Sequence, residues 1–163
     1  MRVATPNAIV VRPAARRDLD ALVAIERASF SDPWTMESFS SALTLDRMRV
    51  LVAEESSGFD GGAAPALLGY VLALLIGVEA EIADLAVAPA ARRRGIGRLL
   101  LERMVGELDA RGVHTVFLEV RESNDAARAL YASQEFVTVG RRPGYYRHPT
   151  EDALLLRRAI APG

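Results

Sequence analysis

A glutamate within an apolar strand is the first residue whose surroundings favour chemistry. Glu119 lies in the segment His114–Arg121, where apolar residues alternate on one side of a predicted strand and Glu119 lies on the other. A carboxylate in such a strand is costly to bury as an anion, which suits it to proton transfer near neutrality. The strand pattern alone favours a structural alternative, an ion pair with Arg121, two residues along on the same side.

A tyrosine follows at helical spacing. Asn124, Ala127 and Tyr131 are three and four residues apart, so they share one face of a predicted helix. At 1.5 Å per residue, the two polar residues lie about 10 Å apart along the axis. The small alanine between them leaves a groove in which an extended arm can lie. The structural alternatives are a core tyrosine with its hydroxyl at the surface and a plain helix cap.

The third candidate is a turn rich in glycine and arginine, which follows a strand and opens a helix. It reads Arg92-Arg93-Arg94-Gly95-Ile96-Gly97-Arg98. Glycine lets a ligand approach the backbone closely, and the free amides at a helix start attract a phosphate or pyrophosphate. A dinucleotide fingerprint is excluded, since it needs a third glycine where Leu100 stands. On the glycines alone, a tight turn with solvated arginines explains the pattern equally well.

The composition excludes several other mechanisms. The 163 residues include no cysteine and no lysine, which removes disulfides, thiolate sites, a cysteine nucleophile, a P-loop and a Schiff base. The two histidines, His114 and His148, lack metal-ligand spacing, so we expect no metal. Twenty basic residues against 21 acidic ones give a net charge of -1, which argues against a nucleic-acid partner.

Periodicity predicts the elements that position these residues. Strands are predicted at 9–12, 49–54, 66–78, 81–87, 114–121, 136–140 and 153–158, the last closing the sheet, and helices at 16–30, 35–45, 96–111 and 124–134. Glu26 falls at the edge of the first helix's apolar stripe, where we expect a capped or solvated carboxylate. A long loop at 56–65 separates two strands of a hairpin, and we expect it to be disordered.

No segment has the pattern of a membrane span or a signal peptide. The most apolar stretch, 66–78, is shorter than the about 20 residues that cross a bilayer, and glycines interrupt it. The apolar run at the amino terminus is too short for a signal peptide. We therefore expect a soluble cytoplasmic protein with no membrane partner.

The pattern Arg92-x-x-Gly95-x-Gly97 resembles the pyrophosphate signature of the GNAT family of acyl-CoA-dependent N-acetyltransferases. Further blocks are similar to one branch of that family, the RimI-type ribosomal-protein-alanine N-acetyltransferases, and together they span nearly the whole chain. These blocks are Leu118–Arg121, Ser123-Asn124-x-x-Ala127-x-x-Leu130-Tyr131, Ile25-Glu26 with Phe30 ahead of Pro33-Trp34, Tyr145-Tyr146, and Glu151-Asp152-Ala153. Glu135 departs from the pattern, because family members usually carry glycine there.

The resemblance implies an α/β GNAT fold, with residues 1–163 as one domain. A mixed, mostly antiparallel sheet would be flanked by about four helices, and two splayed parallel strands would bind acetyl-CoA. Glu119 matches the family's general base and Tyr131 its general acid, while Trp34 and Tyr145 would contact the acceptor. The residues that would bind acetyl-CoA are Leu85, Ala86, Val87, Arg92, Arg93, Arg94, Gly95, Ile96, Gly97, Arg98 and Asn124.

The implied reaction moves an acetyl group to the amino-terminal alanine of a ribosomal protein, small-subunit protein eighteen. Without cysteine, direct attack in a ternary complex is expected rather than an acyl-enzyme. An α-amino group titrates near about pH 8 and a lysine above about pH 10, so a protein amino terminus needs less help to deprotonate. We expect a monomer whose partner is a protein with a free amino terminus.

Three alternative functions stay open at this point. The same fold can acetylate lysine side chains or a small-molecule amine. A non-catalytic acyl-CoA-binding module would use only the pocket. An RNA- or ribosome-surface module would use Arg92–Arg94, although the near-zero net charge disfavours it.

Overall fold

The computed structural model describes residues 8–56 and 65–160, so the loop predicted at 56–65 falls almost entirely outside the described residues. Seven strands and four helices make up the described part. The strands are β1 Ala8–Pro13, β2 Met48–Ser56, β3 Ala66–Ile76, β4 Glu79–Val87, β5 Thr115–Arg121, β6 Val137–Tyr146 and β7 Glu151–Ala159. The helices are α1 Leu19–Ser29, α2 Met36–Ala42, α3 Ile96–Ala110 and α4 Asp125–Ser133.

All seven strands form one mixed sheet in the order β1-β2-β3-β4-β5-β7-β6. Every neighbouring pair is antiparallel apart from β4 and β5, which are parallel. The apolar face of α3 packs on one side of the sheet, with α4 beside it, and α1 and α2 cover β2 to β4 on the other side. This α/β arrangement confirms the predicted fold class.

A bulge in β4 opens the sheet. Along β3, Ala73 pairs with Ile82 but its neighbour Leu72 pairs with Asp84, so Ala83 is an extra residue in β4. Because a bulge shifts the alternation of side chains, Ile82 packs toward α3 whereas Asp84 lies on the side of α1. The bulge therefore brings an acidic side chain to the face that α1 covers.

The two parallel strands separate beyond this bulge. Their ladder runs only from Glu79 opposite Thr115 to Ile82 opposite Leu118. Residues 83–87 keep their partners on β3, and β5 continues with β7. Within the described ranges, the ladder gives 83–87 no strand partner on the β5 side. The predicted splay of these two strands is thus confirmed.

The predicted elements are all present, with differences at their ends. The first turn of the first helix is a 3-10 turn at Arg16–Asp18, and α2 ends at Ala42. The strand predicted at 136–140 extends to Tyr146, since an edge strand tolerates the proline and glycine that interrupt its pattern. That strand, not β7, is the edge of the sheet, so the prediction that residues 153–158 close the sheet was wrong.

Two left-handed residues mark helix ends. Gly112 follows α3 with a φ of 84°, a left-handed conformation that glycine adopts without strain. Glu135 follows α4 with a φ of 67°, where glycine would be free of strain. The departure noted in the sequence therefore places a side chain in a costly backbone conformation without changing where the helix ends.

Candidate active site

The opening between β4 and β5 widens into a cleft of about 550 Å³. Side chains reach it from α1, the α1–α2 loop, β4, β5, α4 and the β6–β7 hairpin. Those used below are Glu26, Trp34, Asp84, Leu85, Glu119, Asn124, Tyr131 and Tyr146. The structure thus brings the predicted base, the predicted acid and one predicted acceptor contact into a single cleft.

Glu119 lies on β5 in the wall of this cleft. Its Oε1 is 2.9 Å from Nε of Arg142 on β6, and its side chain is 14% exposed. The alternative ion pair with Arg121 was therefore wrong about the partner: Arg121 pairs with Glu151 at 3.4 Å and lies over the ring of Tyr146. The sequence offered no local signal for Arg142, because that residue belongs to a different strand.

A second, smaller cavity shares Glu119 with the cleft. It measures about 220 Å³, and its wall includes Glu81, Phe117 and Arg142. Burial, together with the charge of Glu119, raises the pKa of Glu81 above its usual range. A hydrogen bond to Glu119, and then burial, raises the pKa of Tyr145. Glu119 thus stands between two cavities, with a cation, an acid and a phenol around it.

Tyr131 is buried on α4 and forms another part of the cleft wall. Its ring meets the ring of Phe136 edge-on at 5.8 Å between centroids. Burial, followed by the nearby Asp84 and Tyr146, raises the pKa of Tyr131 well above the usual range of a phenol. The hydroxyl therefore keeps its proton at neutral pH and can act as a proton donor.

Asn124 caps α4 and also lies in the wall of the cleft. Its Oδ1 accepts a hydrogen bond from the Ala127 amide at 3.2 Å, which makes it the N-cap of α4. It also lines the cleft, as does Ala127. The same face of α4 therefore carries Asn124 at one end and Tyr131 at the other, as the spacing predicted.

The turn before α3 leaves the backbone at the start of the helix uncapped by side chains. Gly95 is the N-cap of the helix and has a φ of 77°, and no side chain caps the first turn. The first amides of α3 are thus left with the helix dipole behind them. A Cβ on Gly97 would lie 3.3 Å from Leu130, so this second glycine also serves the packing of α3 against α4.

Three of the four arginines around this turn have partners of different kinds. Nε of Arg92 donates to the Val87 carbonyl oxygen at 3.2 Å, joining the turn to the end of β4. Arg94 pairs with Glu55 at 2.7 Å, and Arg98 pairs with Glu102 at 3.3 Å. Two of the four predicted phosphate ligands therefore already hold carboxylates, so the positive charge at the turn is smaller than the sequence indicates.

The predicted cofactor segment Leu85–Val87 forms the end of β4 beside the opening. Leu85 lines the cleft. On the far side, a Cβ on Gly69 of β3 would lie only 2.7 Å from the Ala86 carbonyl oxygen, so the absence of a side chain there lets the two strands approach. The segment is held on the β3 side, and within the described ranges it has no strand partner on the other side.

A buried acidic cluster, which sequence reasoning missed, contributes two residues to the wall of the cleft. Its members are Glu26 on α1, Tyr70 on β3 and Asp84 on β4, and Glu26 is 1% exposed. The Tyr70 hydroxyl hydrogen-bonds to Glu26 and lies 3.2 Å from Asp84. The expectation of a solvated or capped carboxylate at Glu26 was therefore wrong, because β3 and β4 cover that edge of α1.

The only sequence signals for this cluster are polar residues in apolar surroundings. Tyr70 is the one residue with a hydroxyl in β3, and Asp84 interrupts an apolar stretch of β4. Burial, and then the contact with Glu26, raises the pKa of Asp84 to about 9. Burial also raises the pKa of Tyr70 far above its usual range. Neither signal identifies the partners.

The predicted acceptor contacts differ in their placement. Trp34 lines the cleft, and its ring packs against Phe39 at 5.6 Å. Tyr145 is 50% exposed outside the cleft wall and stacks with Arg142 at 5.6 Å. Its neighbour Tyr146 lines the cleft instead.

Residues 8–56 and 65–160 contain neither a metal-binding cluster nor a membrane-spanning helix. No group of three or more histidine, cysteine, aspartate or glutamate side chains in these ranges is placed to hold a metal ion. In the same ranges, no helix has both the length and the apolar character needed to cross a bilayer.

Comparison with known proteins places the chain among acetyltransferases. A family model described as the acetyltransferase (GNAT) family matches residues 19–136. The ribosomal protein bS18-alanine N-acetyltransferase of Escherichia coli K12 is 34% identical over 148 residues, which cover 88% of this chain and 93% of the relative. The N-alpha-acetyltransferase RimI of Mycobacterium tuberculosis is 34% identical over 152 residues, 92% of each chain.

Solved structures of acetyltransferases also superpose on this chain. The crystal structure of the E. coli ribosomal-protein-S18-alanine N-acetyltransferase superposes with a TM-score of 0.82 at 31% identity, covering 94% of this chain and 95% of the other. Arabidopsis thaliana NAA60 in complex with acetyl-CoA superposes with a TM-score of 0.85 at 25% identity, covering 94% and 99%.

Proposed function

Because the chain belongs to the GNAT acetyltransferase family and is an acetyl-CoA-dependent N-acetyltransferase, we propose that its acceptor is the amino-terminal alanine of ribosomal protein bS18. The observation that carries the chemistry is the meeting of Glu119 and Tyr131 in one cleft at the β4–β5 opening. The acceptor is supported by the names of relatives that match 88% of this chain or more. A ribosomal-protein acceptor would be met in the cytoplasm, and we propose that location for the protein.

Two parts of the chain would hold acetyl-CoA, which supplies the activated acetyl thioester. The first amides of α3, behind the left-handed Gly95, would bind the pyrophosphate. The free edge of Leu85–Val87 would pair with the extended arm, and an amide there would polarise the thioester carbonyl. Arg92 and Arg93 are best placed to add positive charge, since Arg94 and Arg98 have carboxylate partners.

Glu119 takes the proton of the acceptor amine, directly or through a water. As the acceptor binds, the ammonium group competes with Arg142 for the Glu119 carboxylate, which favours deprotonation next to the thioester. Tyr131, whose buried hydroxyl is protonated at neutral pH, donates its proton to the departing thiolate, and the second proton that the amine nitrogen loses as the amide forms restores the phenol. The chain holds no cysteine, so one-step transfer in a ternary complex is the mechanism we propose.

The acceptor reaches the cleft between the α1–α2 loop and the β6–β7 hairpin. Trp34 and Tyr146 line the two sides of this entry. Tyr145 acts from outside the cleft through its hydrogen bond to Glu119. The peptide backbone would lie between these aromatic side chains with its amino group directed at Glu119.

Mass spectrometry of paired peptides tests this proposal. One peptide carries the amino-terminal sequence of bS18 with a free α-amine, and its partner has the same sequence with a blocked amino terminus and a lysine added. We expect one acetyl group on the free α-amine of the first and none on the second. Acetylation of the lysine at a comparable rate would contradict the proposal and favour a lysine acetyltransferase.

A further inference from the structure

The proposed mechanism makes no use of the acidic cluster formed by Glu26, Tyr70 and Asp84. The cluster joins three elements, α1, β3 and β4, beside the cleft. Tyr70 is 0% exposed, Glu26 1% and Asp84 9%. Buried carboxyl groups in contact with one another are costly to the fold, so their retention calls for a physical reason.

The cluster holds a proton. The groups that face Asp84 are Glu26 from α1, Tyr70 from β3, Tyr131 from α4 and the backbone amide of Leu85 on its own strand. In the part of the chain that the structure describes, no arginine forms an ion pair with either carboxyl. Two adjacent carboxyls away from water cannot both be charged at low cost, and this agrees with the pKa of Asp84 near 9.

Glu26 also anchors the loop that lines the acceptor side of the cleft. Its Oε1 accepts a hydrogen bond from the Trp34 amide at 3.0 Å, while Oε2 meets the Tyr70 hydroxyl. The Trp34 ring packs on Phe39, which meets the Tyr70 ring edge-on at 5.5 Å. The loop is thus attached to the cluster twice, through its backbone and through its aromatic ring.

We propose that Glu26, Tyr70 and Asp84 are positioning residues for the α1–α2 loop, which contains Trp34 and is called the Trp34 loop below. While the cluster keeps its proton, these residues hold the Trp34 loop in its acceptor-binding position. When the proton is lost, they release it. After deprotonation, two adjacent anions share a buried site. The least costly relief moves the Glu26 carboxylate toward the cleft and water, which breaks its bond to the Trp34 amide. The effect on acceptor binding rests on the proposed function, but the movement of the loop does not.

The position of the loop can be followed by tryptophan fluorescence, because Trp34 is the only tryptophan in the chain. Trp34 fluorescence and its quenching by acrylamide are recorded from about pH 6 to about pH 10.5 on the unliganded protein. We expect a red shift and increased quenching with a midpoint near pH 9. Asp84→Asn, which cannot ionise but keeps every tyrosine, should abolish this transition, and Asp20→Asn on the exposed face of α1 should leave it intact.

Two results would overturn the inference. One is a transition of the same midpoint and size in Asp84→Asn, which would assign it to ordinary tyrosine ionisation. The other is a flat response in the native protein. Tyr70→Phe provides a second variant: it removes the bridging hydroxyl, so Trp34 should already be more open to quenching at neutral pH, with far-UV circular dichroism confirming that the variant folds.

Kinetics connect the loop to the reaction. Between about pH 7 and about pH 10, the KM for the bS18 peptide should rise about fivefold or more in the native protein, whereas Asp84→Asn should reduce this rise to about twofold. The KM for acetyl-CoA should change equally in both. If the fluorescence transition occurs but no acetyl transfer is detected, the proposed function is rejected and the anchoring of the loop by the cluster stands. If acetyl transfer occurs but the KM for the peptide depends on pH identically in the native protein and in Asp84→Asn, the positioning role is rejected.

Discussion

Glu119 and Asp84 carry carboxyl groups on neighbouring strands of one cleft, yet the groups that surround each carboxyl differ in charge and in burial. Glu119 meets the guanidinium of Arg142, whose side chain is 57% exposed. Asp84 meets another carboxyl and a tyrosine hydroxyl in a buried site. We expect Glu119 to exchange protons with a substrate, whereas the raised pKa of Asp84 lets it keep a proton in its buried site.

The difference shows that a residue type in a cleft does not settle its role. Before the bulge at Ala83, β4 side chains such as Glu81 lie beside Glu119, and after it Asp84 lies against α1. The partner that each carboxyl group contacts then decides whether it is suited to proton transfer or to a structural role beside the site. Four changes to the chain test this distinction.

Glu119→Gln should have the largest effect. Loss of the base is expected to lower turnover by about 100-fold or more, with the affinity for acetyl-CoA changed by less than about twofold. Asp84→Asn, its counterpart, should retain turnover near that of the native protein at neutral pH. Steady-state acetylation of the bS18 peptide and calorimetry with acetyl-CoA measure both quantities. Equal losses of turnover in the two variants would contradict the assignment of a catalytic role to Glu119 and a structural role to Asp84.

Tyr131→Phe should lower turnover by about tenfold or more through loss of the proton donor. Burial raises the pKa of Tyr131, so the native hydroxyl is protonated throughout the working range. The ratio of native to variant rate should therefore stay constant between about pH 6 and about pH 9. A ratio near one, measured in the same steady-state assay, would assign the proton donor to another group, and a ratio that falls with rising pH would mean that the Tyr131 hydroxyl ionises within this range.

Gly69→Ala should weaken acetyl-CoA binding by about tenfold, because the new Cβ would lie 2.7 Å from the Ala86 carbonyl oxygen and displace the end of β4. This change moves the strand of Asp84 and leaves the strand of Glu119 in place. Gly106→Ala is the matched control, since a Cβ there meets nothing within 4 Å. Calorimetry gives both affinities, and equal affinities would mean that β4 absorbs the methyl without moving its cofactor edge.

Asp84→Asn should have a smaller effect, on the pH dependence of stability. The folded protein holds a proton on Asp84 up to about pH 9, whereas the unfolded chain releases it near pH 3.8. The stability linked to this proton is therefore complete below the lower value and is lost as pH rises through the higher one. Urea unfolding at about pH 5 and about pH 8 should show a smaller decline in the variant than in the native protein. An equal decline would place the proton elsewhere.

Much of the fold could be predicted because its signals are local. Alternation identified β5 and the side on which Glu119 lies, helical spacing placed Asn124 and Tyr131 on one face, and glycine marked the turn before α3. The ends of elements were less predictable. Proline and glycine concealed the second half of β6, which carries Arg142, since the cost of interrupting an edge strand is small.

The sequence by itself determined the order of strands and helices, the glycine turn and the positions of the proposed base and acid, because each depends on the nature and spacing of residues close along the chain. Only the tertiary structure decided which charges meet. The pairing of Glu119 with Arg142 depends on how β6 joins the sheet. The contact of Glu26 with Tyr70 and Asp84 depends on one extra residue in β4, and the energy of such contacts comes from burial that folding alone creates.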